Sequence, residues 1–280
     1  MVGGVRGAVG SGVSRWGVLV REDVMARLVH LDCGLIESPA GPACCHCVAA
    51  VEGGRAALVD CGIGLLDCAD PEGRLGRELI DVVGFRCDAD RTALRRLERL
   101  GVRAGGVEDV VLTHADPDHT GGLADFPGAR VHVSAEELGA VRAGGARYVG
   151  AHFAHGPRWV EHASAGAEWF GLAARRLTVL GDVEVWLVEL FGHTAGHCGV
   201  AVRDGDGWLL HAGDAYYLRA ELDEPGHPVG ELSRSRAWDD GARLASLERL
   251  RGLRAGLGGK LRMTGYHDVE EFGVFSAGSG

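Results

Sequence analysis

Residues 113–122 read THADPDHTGG, in which four side chains able to ligate a metal, His114, Asp116, Asp118 and His119, closely follow the apolar run Val110-Val111-Leu112. The run predicts a buried strand from Val107 to Thr113. The acids and histidines then sit in the turn at its carboxyl end, a place that is rigid at its base and open at its tip. In extended backbone, residues two apart point the same way, so His114 and Asp116 can face one ion. Asp118 and His119 are adjacent in a turn, where directions diverge, and can face a second.

Working outward, the same arrangement recurs. FGHTAGH places His193 after a predicted strand over 183–190, LLHAGDAYY places Asp214 after one over 208–211, and MTGYHDVEEF places His267 after one over 261–265. Strand ends converging on one rim would bring seven donors together. Upstream, 47–51 and 56–59 read as two arms of a hairpin about Gly53-Gly54. A polar loop over 67–76 and a short apolar stretch over 79–83 follow. The spacing of Ala93, Leu94, Leu97 and Leu100 predicts a helix over 90–100, capped by Asp90 and stopped by Gly101. Residues 129–133 predict a strand, and Ser134 with Glu136 and Glu137 opens a helix. Residues 139–171 read as irregular. Strands resume at 177–180 and 199–202, and a late helix over 239–250 sets Leu244, Leu247 and Leu250 on one side. Hairpins mixed with strand–helix–strand units predict a layered α/β fold.

The bulk properties narrow the function. A formal charge of −10 lacks the basic surplus of a nucleic-acid binder, so no nucleic-acid partner is expected. No apolar run approaches the ~20 residues that span a bilayer, and residues 1–24 lack the apolar core of a secretory signal. A cytoplasmic protein without a membrane partner is expected. Residues 1–24 read as a poorly ordered extension, with Met25 an alternative start and a first strand over 16–20 the competing reading. Residues 25–280 read as one domain with a cap-like insertion about 139–176. The eight cysteines show no framework spacing and are expected as free thiols. Cys44-Cys45-His46-Cys47 lacks the two-residue gap of a zinc knuckle. It also lies in a strand-like run whose neighbours point to opposite faces, so it is not expected to bind metal.

THADPDH, GHTAGH, HAGDA and YHDVEEF, in this order and with LVDCG around Asp60, resemble the motifs of the metallo-β-lactamase superfamily. The resemblance runs from Leu28 to about Phe272 and rests on five motifs at fitting separations. It implies a four-layer αββα sandwich with a dinuclear metal site at one edge. By position, the first ion takes His114, Asp116 and His193, the second takes Asp118, His119 and His267, and Asp214 bridges. Asp60 is implied to hold the ligand loop by hydrogen bonds. The family's usual motif is HxHxDH, and Asp116 stands where the second histidine is common. A carboxylate is a harder ligand with one more negative charge. Two Zn2+ ions are expected, with Fe or Mn also suited.

The resemblance further implies a hydroxide shared by two ions that attacks a carbonyl or phosphoryl centre. Asp118 would orient that hydroxide or carry its proton. In lactone-cleaving members a tyrosine three residues past the bridging aspartate donates to the substrate oxygen, which designates Tyr217, or Tyr216 if the register differs. His197 is expected as a packed neighbour, and His211 and His132 as core. His152, His155, His162, Arg158 and Trp159 either line a substrate pocket or cover the surface of a cap, and Trp169-Phe170 anchors that cap. The expected function is hydrolysis of a small-molecule ester, lactone or thioester. Competing readings are a mononuclear iron enzyme like the persulfide dioxygenases, a phosphodiesterase or nuclease, and a non-catalytic binding module. The intact Asp118, His119 and His267 favour two metals, and no basic groove for a nuclease is visible.

Overall fold

Strand after strand in this chain alternates its apolar side chains between two cores, and that alternation stacks two sheets. The computed structural model describes residues 26–38 and 41–277. The expectations for residues 1–24 and for Met25 lie outside the described residues. The first sheet contains β1 (Arg27–Ser38), β2 (Gly41–Glu52), β3 (Arg55–Val59), β4 (Phe85–Arg86), β5 (Val107–Val111), β6 (Arg130–Ser134) and β7 (Arg158–His162), in the order β4-β1-β2-β3-β5-β6-β7. β1 to β3 pair antiparallel, whereas β3, β5, β6 and β7 run parallel. The second sheet contains β8 (Glu168–Trp169), β9 (Leu172–Val179), β10 (Val183–Glu189), β11 (Cys198–Asp204), β12 (Gly207–His211) and β13 (Leu261–Thr264), with β13 joining β12 in parallel at one edge.

Alternate residues sort the layers. Val48, Ala50, Ala57, Val59 and Val111 meet Val185, Leu187, Val200, Val202 and Leu209 between the sheets. On the outer face of the first sheet, Cys47, Ala49, Leu58 and Val110 pack against Ala93, Leu94 and Leu97 of the helix Ala93–Arg99. On the outer face of the second, Val188, Ala201 and Leu210 pack against Leu247, Leu250 and Leu253 of the helix Asp240–Leu257. The result is the αββα sandwich.

Several local expectations are corrected. The 67–76 stretch is not a loop but carries two short helices, Leu65–Ala69 and Pro71–Arg74, and Glu78–Val83 forms a wide π-helical turn. The Ala93 helix is capped by Thr92, whose hydroxyl accepts from the Arg95 amide, while Asp90 sits in the preceding 3-10 turn. Leu244 is 49% exposed, and Leu253 takes the buried place beside Leu247 and Leu250. The 139–171 stretch is not irregular throughout. The helix opened by Ser134 continues to Ala143, and β7 completes the first sheet. β7 is an edge strand with half-buried and exposed residues, so its apolar alternation is weak. Trp169 packs edge-on against Trp208 of the second sheet at 5.6 Å rather than anchoring a cap. Phe170 is half exposed. Among the described residues, no helix is long and apolar enough to cross a membrane.

Candidate metal centre

β5 delivers residues 113–119 to the sheet edge, and Asp60, just past the neighbouring β3, fixes them there. Asp60 adopts φ 55°, a left-handed conformation uncommon outside glycine. Its buried carboxylate accepts from the Thr113 amide (2.8 Å), the Thr113 hydroxyl (2.8 Å) and His119 Nδ1 (2.8 Å). Burial alone would raise this carboxyl, but the adjacent His119 outweighs it and holds Asp60 below the usual carboxylate range. With its proton given to Asp60, Thr113 Oγ1 accepts from His114 Nδ1 at 3.0 Å. His267 Nδ1 donates to the Cys44 carbonyl at 3.0 Å. In His114, His119 and His267, therefore, Nδ1 carries the proton and Nε2 turns a lone pair inward.

Those inward nitrogens meet carboxylates. Asp116 Oδ2 lies 3.4 Å from His114 Nε2 and 3.1 Å from His193 Nε2. Asp118 Oδ2 lies 3.8 Å from His119 Nε2 and 3.5 Å from His267 Nε2. Asp214 reaches both groups: Oδ2 is 3.4 Å from His193 and 3.3 Å from His267, and Oδ1 is 3.3 Å from His119. Two donor sets result, His114/Asp116/His193/Asp214 and Asp118/His119/His267, each with ligand atoms within 4.8 Å of one another. In each set, donors after β5 meet donors that follow strands of the second sheet.

The chemistry of the set fits divalent cations. His114 Nε2, His119 Nε2 and Asp214 Oδ1 are buried without a hydrogen-bond partner. Donor separations of 3.1–3.9 Å suit an ion with bonds of ~2.0–2.2 Å. Asp116, Asp118 and Asp214 are all buried, and carboxylates buried together call for positive charge between them.

A cleft of about 390 Å³ opens over Asp116, Asp118, Asp214, Tyr217 and His267. Its far wall is apolar, with Ile36, Leu79, Val83, Phe85, Val229 and Leu232 among its side chains. The Tyr217 ring lies 5.9 Å from that of His193 and 5.2 Å from that of His267. Tyr216 faces away, its hydroxyl donating to Glu271 at 3.1 Å. His197 is a packed neighbour: Nδ1 donates to the Leu190 carbonyl (2.9 Å) and Nε2 accepts from the Asp214 amide (3.0 Å). Gly213, at φ 56°, permits this, because a Cβ there would fall 2.7 Å from His197 Nε2. His211 and His132 are likewise buried and hydrogen-bonded. His152, His155, His162, Arg158 and Trp159 do not line the cleft. His152 is buried between Thr120 Oγ1 and Asp67 Oδ1. Cys44, Cys45 and Cys47 are buried free thiols on a strand.

Three side chains that matter here carried little or no sequence signal for a role at the site. Glu137, expected only as a first-turn acid, turns inward and is fully buried. It accepts from the Ala115 amide (2.9 Å), the Thr194 hydroxyl (2.6 Å), the Gly196 amide (3.1 Å) and the Tyr148 hydroxyl (3.3 Å), tying the His114 loop to the His193 loop. Tyr266 stacks on His119 at 3.7 Å and donates to the Asp118 carbonyl. Its one sequence hint was adjacency to His267. Arg147 reaches across from the loop after the 135–143 helix to Asp116 and His193.

Fold and donor sets together define a metal-binding αββα protein with its centre at one edge of the paired sheets. The chain belongs to the metallo-β-lactamase superfamily, whose family model matches residues 41–257. Probable metallo-hydrolases of Mycobacterium tuberculosis and Mycobacterium bovis are each 43% identical to it over 202 residues. That match takes in 69% of this chain and 64% of theirs, so it spans less than two thirds of the relatives' length. Among solved structures, an N-acyl homoserine lactone hydrolase with its product N-hexanoyl-L-homoserine at the catalytic metal centre is similar with a TM-score of 0.70. It is 17% identical, over 89% of this chain and 96% of that one. A dizinc quorum-quenching lactonase in complex with the same product is similar with a TM-score of 0.52 at 19% identity, over 81% and 74% of the two chains. At these identities the likeness is one of fold.

Proposed function

We propose that the protein is a dinuclear metal-dependent hydrolase of small esters, lactones or thioesters that carry an apolar arm. The observation that carries this reading is the pair of donor sets sharing Asp214, with the Nε2 atoms of His114 and His119 buried and otherwise unpartnered. His114, Asp116 and His193 would hold one divalent ion, Asp118, His119 and His267 the other, with Asp214 between them. When bound, such ions supply Lewis acidity that activates water and polarises the scissile carbonyl. Zinc suits the set, and the Asp116 carboxylate suits iron or manganese as well.

The chain's own groups do the rest. Burial, with the Asp214 charge beside it, pushes the Tyr217 phenol well above its ordinary range. It therefore stays protonated and donates to the substrate oxygen as charge develops there. Asp118, at the cleft floor, takes the proton of the attacking water. The apolar wall binds the arm of the substrate and excludes water around the reacting group. That lining disfavours a phosphodiester, and two complete donor sets disfavour a mononuclear persulfide dioxygenase. Elemental analysis with a panel of esters, lactones, thioesters and phosphodiesters tests the reading. Two ions per chain, and hydrolysis of apolar-armed substrates that is lost in His119→Ala, are expected. One iron per chain with oxygen uptake on a persulfide, or cleavage of phosphodiesters alone, would overturn it.

A further inference from the structure

We propose that Arg147 is a positioning residue of the first donor set: it offsets the charge that Asp116 adds over the family's usual histidine, and it competes with the ion for His193. The inference rests on the dinuclear reading above. Arg147 Nε donates to Asp116 Oδ1 at 2.5 Å, and Nη2 donates to Asp116 Oδ2 at 2.6 Å. Nη2 also lies 2.6 Å from His193 Nε2, and Nη1 donates to the Arg236 carbonyl at 2.7 Å. The guanidinium is thus held on three sides, against two of the atoms assigned to the first ion.

Lone pairs decide what can coexist. A carboxylate oxygen has lone pairs to spare, so the Nε–Oδ1 bond persists while Oδ2 coordinates. An imidazole nitrogen has one lone pair, so Nη2 and an ion cannot both use His193 Nε2. The ion must displace Nη2, with Arg147 pivoting on its Nε–Oδ1 bond. Charge points the same way. A histidine at position 116 would be neutral, and the Asp116–Arg147 pair is neutral too, but its cation stands beside the ion and weakens its binding. No guanidinium among the described residues hydrogen-bonds to the side chains of Asp118, His119 or His267. The second set therefore fills first and holds its ion more tightly, and the first set exchanges its ion more readily.

The test is stepwise titration of chelator-stripped, full-length protein with Zn2+ against a chromophoric chelator. A parallel Co2+ titration is read by visible absorption. In Arg147→Met the weaker dissociation constant is expected to tighten at least about tenfold, the lower end of what groups around a ligand typically change, with the tighter one unmoved. Arg147→Lys keeps the cation but not the fork that reaches both Asp116 and His193, so its weaker constant is expected to fall between those of wild type and Arg147→Met. Arg147→Gln, which retains a donor for the Arg236 carbonyl, repeats the test if the methionine variant does not fold. Two ions bound with an unchanged or loosened weaker constant in both neutral variants would overturn the role of Arg147 and leave the dinuclear reading intact. Failure of wild type and neutral variants alike to take a second ion would overturn the dinuclear reading itself.

Discussion

Replacing Glu137 by glutamine separates the strut between ligand loops from the ligands themselves. The carboxylate accepts four hydrogen bonds, two from the backbone amides of Ala115 and Gly196. An isosteric amide keeps one acceptor oxygen and turns an NH2 toward the other donors. If the oxygen stays with Thr194 and Gly196, the Tyr148 hydroxyl can rotate to accept, but the Ala115 amide is left facing a donor. One buried amide without an acceptor costs about 1–3 kcal/mol, and the loss of charge assistance at the remaining bonds adds to this. A destabilisation of roughly 2–4 kcal/mol follows, which in a chain of this size lowers Tm by very roughly 5–10 °C. Alanine at the same position would strand both amides and the Thr194 hydroxyl, approaching the ~5–15 kcal/mol that holds a whole domain together. Glutamine is therefore the informative change. Scanning calorimetry of chelator-stripped protein gives the first readout, and Zn2+ competition gives the second. The His114 and Asp116 loop and the His193 loop lose their tie, so the His114/Asp116/His193 set should weaken by about 10- to 100-fold. The Asp118/His119/His267 set should change far less. A melting point within about 1 °C of wild type with both affinities unchanged would refute the strut.

Three further outcomes are expected. Tyr217→Phe removes the donor proposed for the substrate oxygen, so kcat should fall about a hundredfold with metal content and KM nearly unchanged; a raised KM at unchanged kcat would count against that role. Asp60→Asn disturbs the acceptor of the His119 Nδ1 proton, so the second ion should bind about 10- to 100-fold more weakly, as equilibrium dialysis would report. Burial holds the Asp125 carboxyl at about 6 against an ordinary 3.8. The unfolded chain therefore loses that proton first, and stability falls as pH rises between those values and is flat above them. Asp125→Asn should accordingly gain about 1–2 kcal/mol over wild type near pH 7.5 and little or nothing near pH 4, measured by urea unfolding.

The parts of this structure that were legible in the sequence are those written in strong periodic or punctuated patterns. The hairpin at Gly53-Gly54, the strands over 107–113 and 199–202, and the Ser134 helix start all announce themselves through apolar runs and caps. The donors were legible because each follows such a run. What escaped lacks periodicity. The short helices Arg219–Asp223 and Val229–Arg236 are mostly polar or exposed. β7 is an edge strand with a polar side chain at each end. Glu137 occupies a first-turn position where an acid already has a sufficient local reason to be, and its inward turn depends on loops remote in sequence. Arg147 stands alone in a glycine-rich stretch, and only the tertiary fold brings it to Asp116.

Each donor set draws on both sheets: His114 and Asp116 are joined by His193 and Asp214, and Asp118 and His119 by His267. An ion in either set would then be a further cross-link between halves of the sandwich that at that edge are otherwise joined by packing and a few hydrogen bonds, such as Cys198 N–H to the Thr113 carbonyl (2.8 Å) and Cys44 N–H to the His267 carbonyl (3.2 Å). Sheets that slide or part must first release it, so occupancy feeds directly into resistance to unfolding, by about 2.7 kcal/mol per ion at a hundred times its dissociation constant. With ions bound as proposed, loading and folding would in that sense be one equilibrium, and a chelator would lower the stability of the fold as well as strip the centre.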